Sequence, residues 1–302
     1  MLSRSVFFIA VMAVFPALAA TPINETRPLN ATGEVSISNV KGRIVVRTWN
    51  RPEVRITGSL GKGAKKLEID SNPESIDIDV KFPNNGSGWN LWGRNDNKVE
   101  PTLLEVTIPQ RASLEIESVS ADVDVQQMAG RKLSVSSVSA PIVVTASSPG
   151  EAEFENVSGD ITLRITTPNV QVQTVSGEVK LGGGLTGNVE METVSGNLSL
   201  MAQALNKLKA NTVSGDLDMK AALKPGGTIN LESLSGDVDL HLPRGTGAKV
   251  HVESFSGDIR SPSGSVDEEE HGPGKSLDTS YGDGRGQIHV ESFSGDVNIS
   301  LQ

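Results

Sequence analysis

The feature that most constrains this chain is a phrase written nine times between residue 118 and the C-terminus: a small residue, an apolar one, Ser, Gly, an acidic residue and another apolar one. The copies read SVSADV from Ser118, SVSAPI from Ser137, NVSGDI from Asn156, TVSGEV from Thr174 and TVSGNL from Thr193. They continue as TVSGDL from Thr212, SLSGDV from Ser233, SFSGDI from Ser254 and SFSGDV from Ser292. Counted from the Ser at the third position of each phrase, the steps are 19, 19, 18, 19, 19, 21, 21 and 38 residues. A fixed period of this size means one supersecondary unit stacked on copies of itself.

The unit from Val170 gives the local structure. Val170, Val172, Val175, Val179 and Leu181 alternate with polar residues on both sides of Ser176-Gly177, the period of a strand with one buried face. The same alternation runs through Ile229, Leu231, Leu234, Val238 and Leu240, and through Ile288, Val290, Phe293, Val297 and Ile299. Val172 and Val175 are three apart, so burying both requires a bend near Thr174. This reading places Val194 inside and Glu192 outside. One unit cannot bury its apolar face alone, whereas parallel units about 4.8 Å apart can. The expected fold is therefore all-β: a parallel β-solenoid (β-helix) of about 19-residue coils, with right-handed winding favoured. Residues 201–209 could add one helical turn. A barrel or sandwich would need hairpins every 8–12 residues, which this spacing does not supply.

Upstream, Asn39-Val40-Lys41-Gly42-Arg43-Ile44 fits the pattern with Lys in place of the Ser, and residues 54–57, 67–70, 76–80 and 103–108 alternate as further strands. One domain over 32–302 is expected, interrupted by loop-like insertions at 83–101 and 261–286. Residues 1–20 carry Arg4, an apolar stretch and a small-residue run at Ala17–Ala20, the layout of a secretory signal peptide, with 21–31 as a leader. Cysteine is absent and the net charge is −10, which fits neither a disulfide framework nor a nucleic-acid partner. No later stretch has membrane-spanning length.

Repeated V-S-G-D-apolar units, the early N-V-K-G-x-I, and Gly282-Asp283-Gly284 ahead of the final S-G-D resemble the bacterial β-strand-repeat family of unknown function that carries an adhesin label. The resemblance covers nearly all of the chain after residue 20. It implies a parallel β-solenoid in the cell envelope, with no enzymatic residues to carry over. Ala121 and Ala140 depart from the phrase at its Gly, and Pro141 departs at its acid.

Stacking the units makes columns. Asp122, Asp160, Glu178, Asn197, Asp216, Asp237, Asp258 and Asp296 form one, readable as a calcium edge or, more simply, as turn caps. The small residues that open the nine phrases form a second column, expected to be a hydrogen-bonding ladder at the bend. Val-His251-Val-Glu253 and Ile-His289-Val-Glu291 are nearly identical. On adjacent coils, His251, Glu253, His289 and Glu291 would meet on the outer face, where two imidazoles and two carboxylates could take zinc or a similar surface divalent metal. Without that ion, no cofactor is implied. The plainer alternative is a duplicated unit whose outer face was copied with its core. Trp89 and Trp92 in the first insertion would give a stacking platform for sugars or a protein anchor, or fold back to plug a face of the coil.

No nucleophile-and-base pair, phosphate loop or nucleophile elbow occurs in a supporting context. The sequence thus points to a non-enzymatic, exported, periplasmic binding or structural module whose partner is an envelope glycan or protein. A polysaccharide-acting β-helix enzyme and an accessory in envelope-stress (anti-sigma) signalling are the alternatives. Because the chain ends inside a strand at Val297–Gln302, the acidic second insertion is expected to cover the final coil and keep the protein monomeric.

Overall fold

The computed structural model describes residues 21–82, 99–270 and 272–302. Among these residues there are 21 strands, hydrogen-bonded into one sheet, and no helix. The first six strands are β1 (Thr21–Pro28), β2 (Glu34–Trp49), β3 (Glu53–Leu60), β4 (Lys66–Ser71), β5 (Ser75–Lys81) and β6 (Thr102–Pro109). The repeated body follows: β7 (Ser113–Gln126), β8 (Lys132–Ser137), β9 (Ile142–Ser147), β10 (Glu151–Ser158), β11 (Ile161–Ser176), β12 (Val179–Ser195), β13 (Leu198–Ser214) and β14 (Leu217–Ser235). The last part holds β15 (Val238–Leu242), β16 (Ala248–Ser256), β17 (Ile259–Arg260), β18 (Val266–Glu268), β19 (Lys275–Tyr281), β20 (Gly286–Ser294) and β21 (Val297–Leu301).

In the body each phrase lies in parallel register on its neighbour. Leu114, Leu133, Ala152, Val170, Val189, Leu208 and Ile229 stack in one buried row. Beyond the corner, Val123, Ile142, Ile161, Val179, Leu198, Leu217 and Val238 stack in another. The backbone of an inner strand is thus paired above and below along most of its length, and the apolar rows fill the interior. Residues 201–209, expected as a helical turn, continue β13 instead, because each turn of chain must keep pairing with its neighbours. The 21-residue step from Leu208 to Ile229 is absorbed by register shifts on β13 at Met201/Ala204 and Leu205/Lys207.

The corner glycine is dictated by stacking. Gly215 has φ +142°, and a Cβ there would lie 2.1 Å from the carbonyl oxygen of Gly196 in the turn beneath. The acidic residue beside it caps the adjacent turn. Asp216 Oδ1 accepts the Asp237 backbone N–H at 3.0 Å, Asp237 Oδ1 that of Asp296 at 2.8 Å, and Asp296 Oδ1 that of Asp258 at 2.9 Å. That last bond holds the Asp296 carboxyl below the usual carboxylate range. In the first copy, where Ala121 replaces the glycine, β7 runs through the corner without a break, whereas the Ala140 copy is interrupted between β8 and β9.

The ends are not stacked in sequence order. β20 lies between β14 and β16, with Ile288 facing Ile229 on one side and Val250 on the other. β21 likewise lies between β15 and β17. The last stretch of chain is therefore threaded between two earlier turns, and its strand is paired on both sides. The expectation of an open C-terminal edge is corrected: the turn at the end is 248–260, and β19 covers it as an antiparallel strand, with β18 folded back on β19. The other end is arranged similarly. β2 pairs on one face with β7, 79 residues away at Val35–Leu114, and on the other with β5 and β6. Antiparallel β3, β4 and β1 close that end, so residues 21–28, expected as a leader, form an edge strand.

Candidate functional site: an exposed apolar ladder

The strands entering each corner bury Val170, Val172 and Thr174 in strict alternation, which turns Val175 outward. The same parity holds in every copy. Val138, Val157, Val175, Val194, Val213, Leu234, Phe293 and Phe255, in stacking order, are each between 41% and 53% exposed. The expectation that Val175, Val194, Leu234 and Phe293 fill the core is therefore wrong. No bend brings them in, and the inner position is held by a small polar residue.

Strand parity puts that residue inside, and in several copies its side chain serves the corner. Ser118 Oγ donates to the Ala121 carbonyl at 2.8 Å, and Ser233 and Ser292 donate to the carbonyls of Gly236 and Gly295 at 3.2 Å. Asn156 Nδ2 reaches the Ala140 and Gly159 carbonyls at 3.0 and 3.1 Å. Where a hydroxyl of this column is bonded it meets a carbonyl of its own turn, and the hydroxyls of Ser137, Thr193, Thr212 and Ser254 have no partner among the described residues, so the column is not a ladder of side chains bonded to one another.

The outward apolar residues line a groove of about 1510 Å³ that follows the stack. At about 4.8 Å per step, the eight-residue ladder is about 34 Å long. Beside the ladder, two residues earlier on the same outward side of each strand, runs the column Glu117, Ser136, Glu155, Gln173, Glu192, Asn211, Glu232, Glu291 and Glu253, which also lines the groove. The β18–β19 hairpin adds Asp267, Glu268 and Glu269 at one end. Nine carboxylates face the groove against one cation, Lys275, which is itself paired to Asp258 at 2.7 Å. Glu192 is held by Lys209 at 2.8 Å, and the bonds from Glu190 and Glu192 raise the pKa of Lys209. Glu117, Glu155 and Glu232 have no ion pair among the described residues. Phe293 and Phe255 stack with ring centroids 4.8 Å apart. The arrangement can hold a long, narrow, apolar-faced ligand.

The four residues singled out for a metal do meet on one face, as the repetition predicted. His251 and His289 face each other across β16 and β20, stacked at 5.3 Å and within 2° of parallel. His251 Nδ1 lies 2.8 Å from Asp278 and Nε2 lies 3.0 Å from Glu253, while His289 Nε2 lies 2.6 Å from Glu291. Two carboxylates facing both nitrogens favour the doubly protonated ring, so Asp278 first, then Glu253, raise the pKa of His251. Lone pairs lie in the ring plane, and in two parallel rings they point side by side. Among the described residues no group of three or more His, Cys, Asp or Glu is placed to hold an ion. Trp89 and Trp92 lie outside the described residues. The outward ladder departs from the sequence expectation, and the signal for it is strict alternation from Val170 through Val172 and Thr174, which leaves Val175 outside.

Several solved structures resemble this one in outline. A "putative adhesin" from Bacteroides fragilis is 10% identical, with a TM-score of 0.47 over 93% of this chain and 98% of that one. A "putative lipid binding protein" from Parabacteroides distasonis is 11% identical, with a TM-score of 0.47 over 93% and 97%. A "putative cell adhesion protein" from Clostridium sporogenes is 14% identical, with a TM-score of 0.23 over 93% and 100%. At these values what those proteins bind is not transferred to this chain. No curated protein matches it. The repeated phrase, its parallel stacking and a sequence match over residues 32–300 place the chain in the Toastrack family of β-solenoid-like domains of unknown function, DUF4097.

Proposed function

We propose that this protein is a non-enzymatic, adhesin-like binding module of the bacterial cell envelope, exported by residues 1–20, periplasmic and monomeric. Its chain winds right-handed with about 19 residues per coil. Residues 32–302 act as one domain, and the ligand lies along the groove. The exposed apolar ladder carries this reading. Eight contiguous apolar side chains left half in water, rimmed by carboxylates, are the signature of an interaction surface and not of a surface designed only to stay soluble.

Titration of the purified mature chain with N-phenyl-1-naphthylamine, a neutral apolar probe whose fluorescence rises when it leaves water, tests the groove. Saturable binding that is abolished by the double substitution Val194→Asp and Val213→Asp, with an unchanged melting temperature, supports the reading. Binding that ignores both substitutions refutes it. Fractionation of cells producing the full chain, followed by mass determination of the mature N-terminus and light scattering, tests export, location and oligomeric state.

A further inference from the structure

The walls of the groove specify what kind of chain it takes, an inference that rests on the groove being a binding site. Its charge is one-sided: carboxylates at Glu117, Glu155, Glu192 and Glu232 recur on every second turn, followed by Glu291 and Glu253 on the last two. Three of them, Glu117, Glu155 and Glu232, have no ion pair among the described residues. A second copy of this chain would set one acidic wall against another, at −10 each, and anionic envelope lipid would meet the same repulsion.

The groove also offers no backbone to pair with. Each strand along it is flanked on both sides, from β7 between β2 and β8 to β16 between β20 and β19. An extended peptide laid there would leave its own N–H and C=O groups without partners. An α-helix keeps its hydrogen bonds internal and presents only side chains. Six helical turns, about 22 residues, span about 34 Å, the length of the ladder.

We propose that the groove receives a basic amphipathic α-helix of a partner protein. Its apolar face packs on Val138 through Phe255, and its Lys or Arg side chains reach the carboxylate wall. The acidic hairpin at β18 marks the end where the helix stops.

The test uses the mature chain and three synthetic peptides. One is a 22-residue helix with a Leu face flanked by Lys, the second is the same sequence with every Lys replaced by Glu, and the third is an 11-residue half of the Lys form. Calorimetry and circular dichroism are the readouts. The Lys helix is expected to bind one to one and gain helicity, at least tenfold more tightly than its Glu twin or the half-length form, and to weaken in 0.5 M salt. The triple substitution Glu117→Gln, Glu155→Gln and Glu232→Gln, all on the outer face, is expected to weaken it about tenfold without changing the melting temperature. Equal binding of the Glu twin, binding without gain of helicity, or an unaffected triple variant each overturn the proposal. If the neutral probe binds and no peptide does, the helix is refuted and the groove stands. Binding of phosphatidylcholine vesicles in place of the peptide refutes it in favour of a lipid. If neither probe nor peptide binds, the groove reading itself fails.

Discussion

The threading of the last turn is open to a direct distance test, because the chain has no cysteine of its own. In a solenoid stacked in sequence order, Asn230 would neighbour His251, and His251 would neighbour His289. In the structure Asn230 is in register with His289, and His289 with His251, so Asn230 and His251 are two steps apart. One step is about 4.8 Å between Cα atoms and two steps about 9.6 Å, and a disulfide tolerates only about 4.4–6.8 Å. The double variant Asn230→Cys, His289→Cys should therefore oxidise to a bridge, while Asn230→Cys, His251→Cys should keep two free thiols. Thiol titration and peptide mapping read the result. Because the first bridge closes a loop of about 59 residues, chain entropy allows up to about 4 kcal/mol of stabilisation, and reduction should lower the melting temperature. A bridge from 230 to 251 with none from 230 to 289 would refute the threaded order.

Other consequences are smaller in scope. Leu208→Ala removes a fully buried side chain and should cost about 2–5 kcal/mol in chemical denaturation, whereas Val213→Ala, half in water on the same strand, should cost under about 1 kcal/mol. Gly215→Ala combines a positive φ with a Cβ driven into the Gly196 carbonyl, and should lose about 2 kcal/mol or more by the same assay. Asp278 on β19 raises the pKa of His251 on β16 above its unfolded value of 6.5, so the stability it lends is complete below pH 6.5 and is lost as pH rises through the folded pKa. The protection of amides 275–281, taken relative to the intrinsic base-catalysed exchange rate at each pH, should therefore fall on that alkaline side, and His251→Asn should abolish this fall. Replacing residues 262–285 with a short Gly-Ser linker uncovers β16, and light scattering should then detect concentration-dependent oligomers.

The repeated phrase determined a great deal without any structure. A period near 19 with alternation on both sides of one corner specified parallel turns with aligned Val, Ile and Leu, because only neighbouring copies can satisfy that backbone and bury that face. The duplicated His-Val-Glu stretches specified that His251 and His289 would face each other. The corner glycine and aspartate could be read as turn chemistry from residue type alone.

Which side of the corner valine faces water was also written in the sequence, but in a form easily misread. Val175 looks like core by composition, whereas strict alternation from Val170 puts Thr174 inside in its place. The expectation followed hydrophobicity where the geometry of a strand followed parity, and in Ser118, Thr174, Ser233 and Ser292 a hydroxyl bonded to a carbonyl of its own turn lowers the cost of a polar inner position. Only tertiary structure decided the order of the turns at the ends. The phrases from Ser233, Ser254 and Ser292 are so alike that each offers the next the same apolar rows and the same backbone, and local sequence barely distinguishes one neighbour from another. What separates them is the whole end at once: β19 can cover β16 only from outside, so the last turn takes the place between β16 and β14. The groove is likewise a product of the stack, since its apolar ladder and its acidic wall each draw one residue from every turn and exist only when the turns are laid side by side.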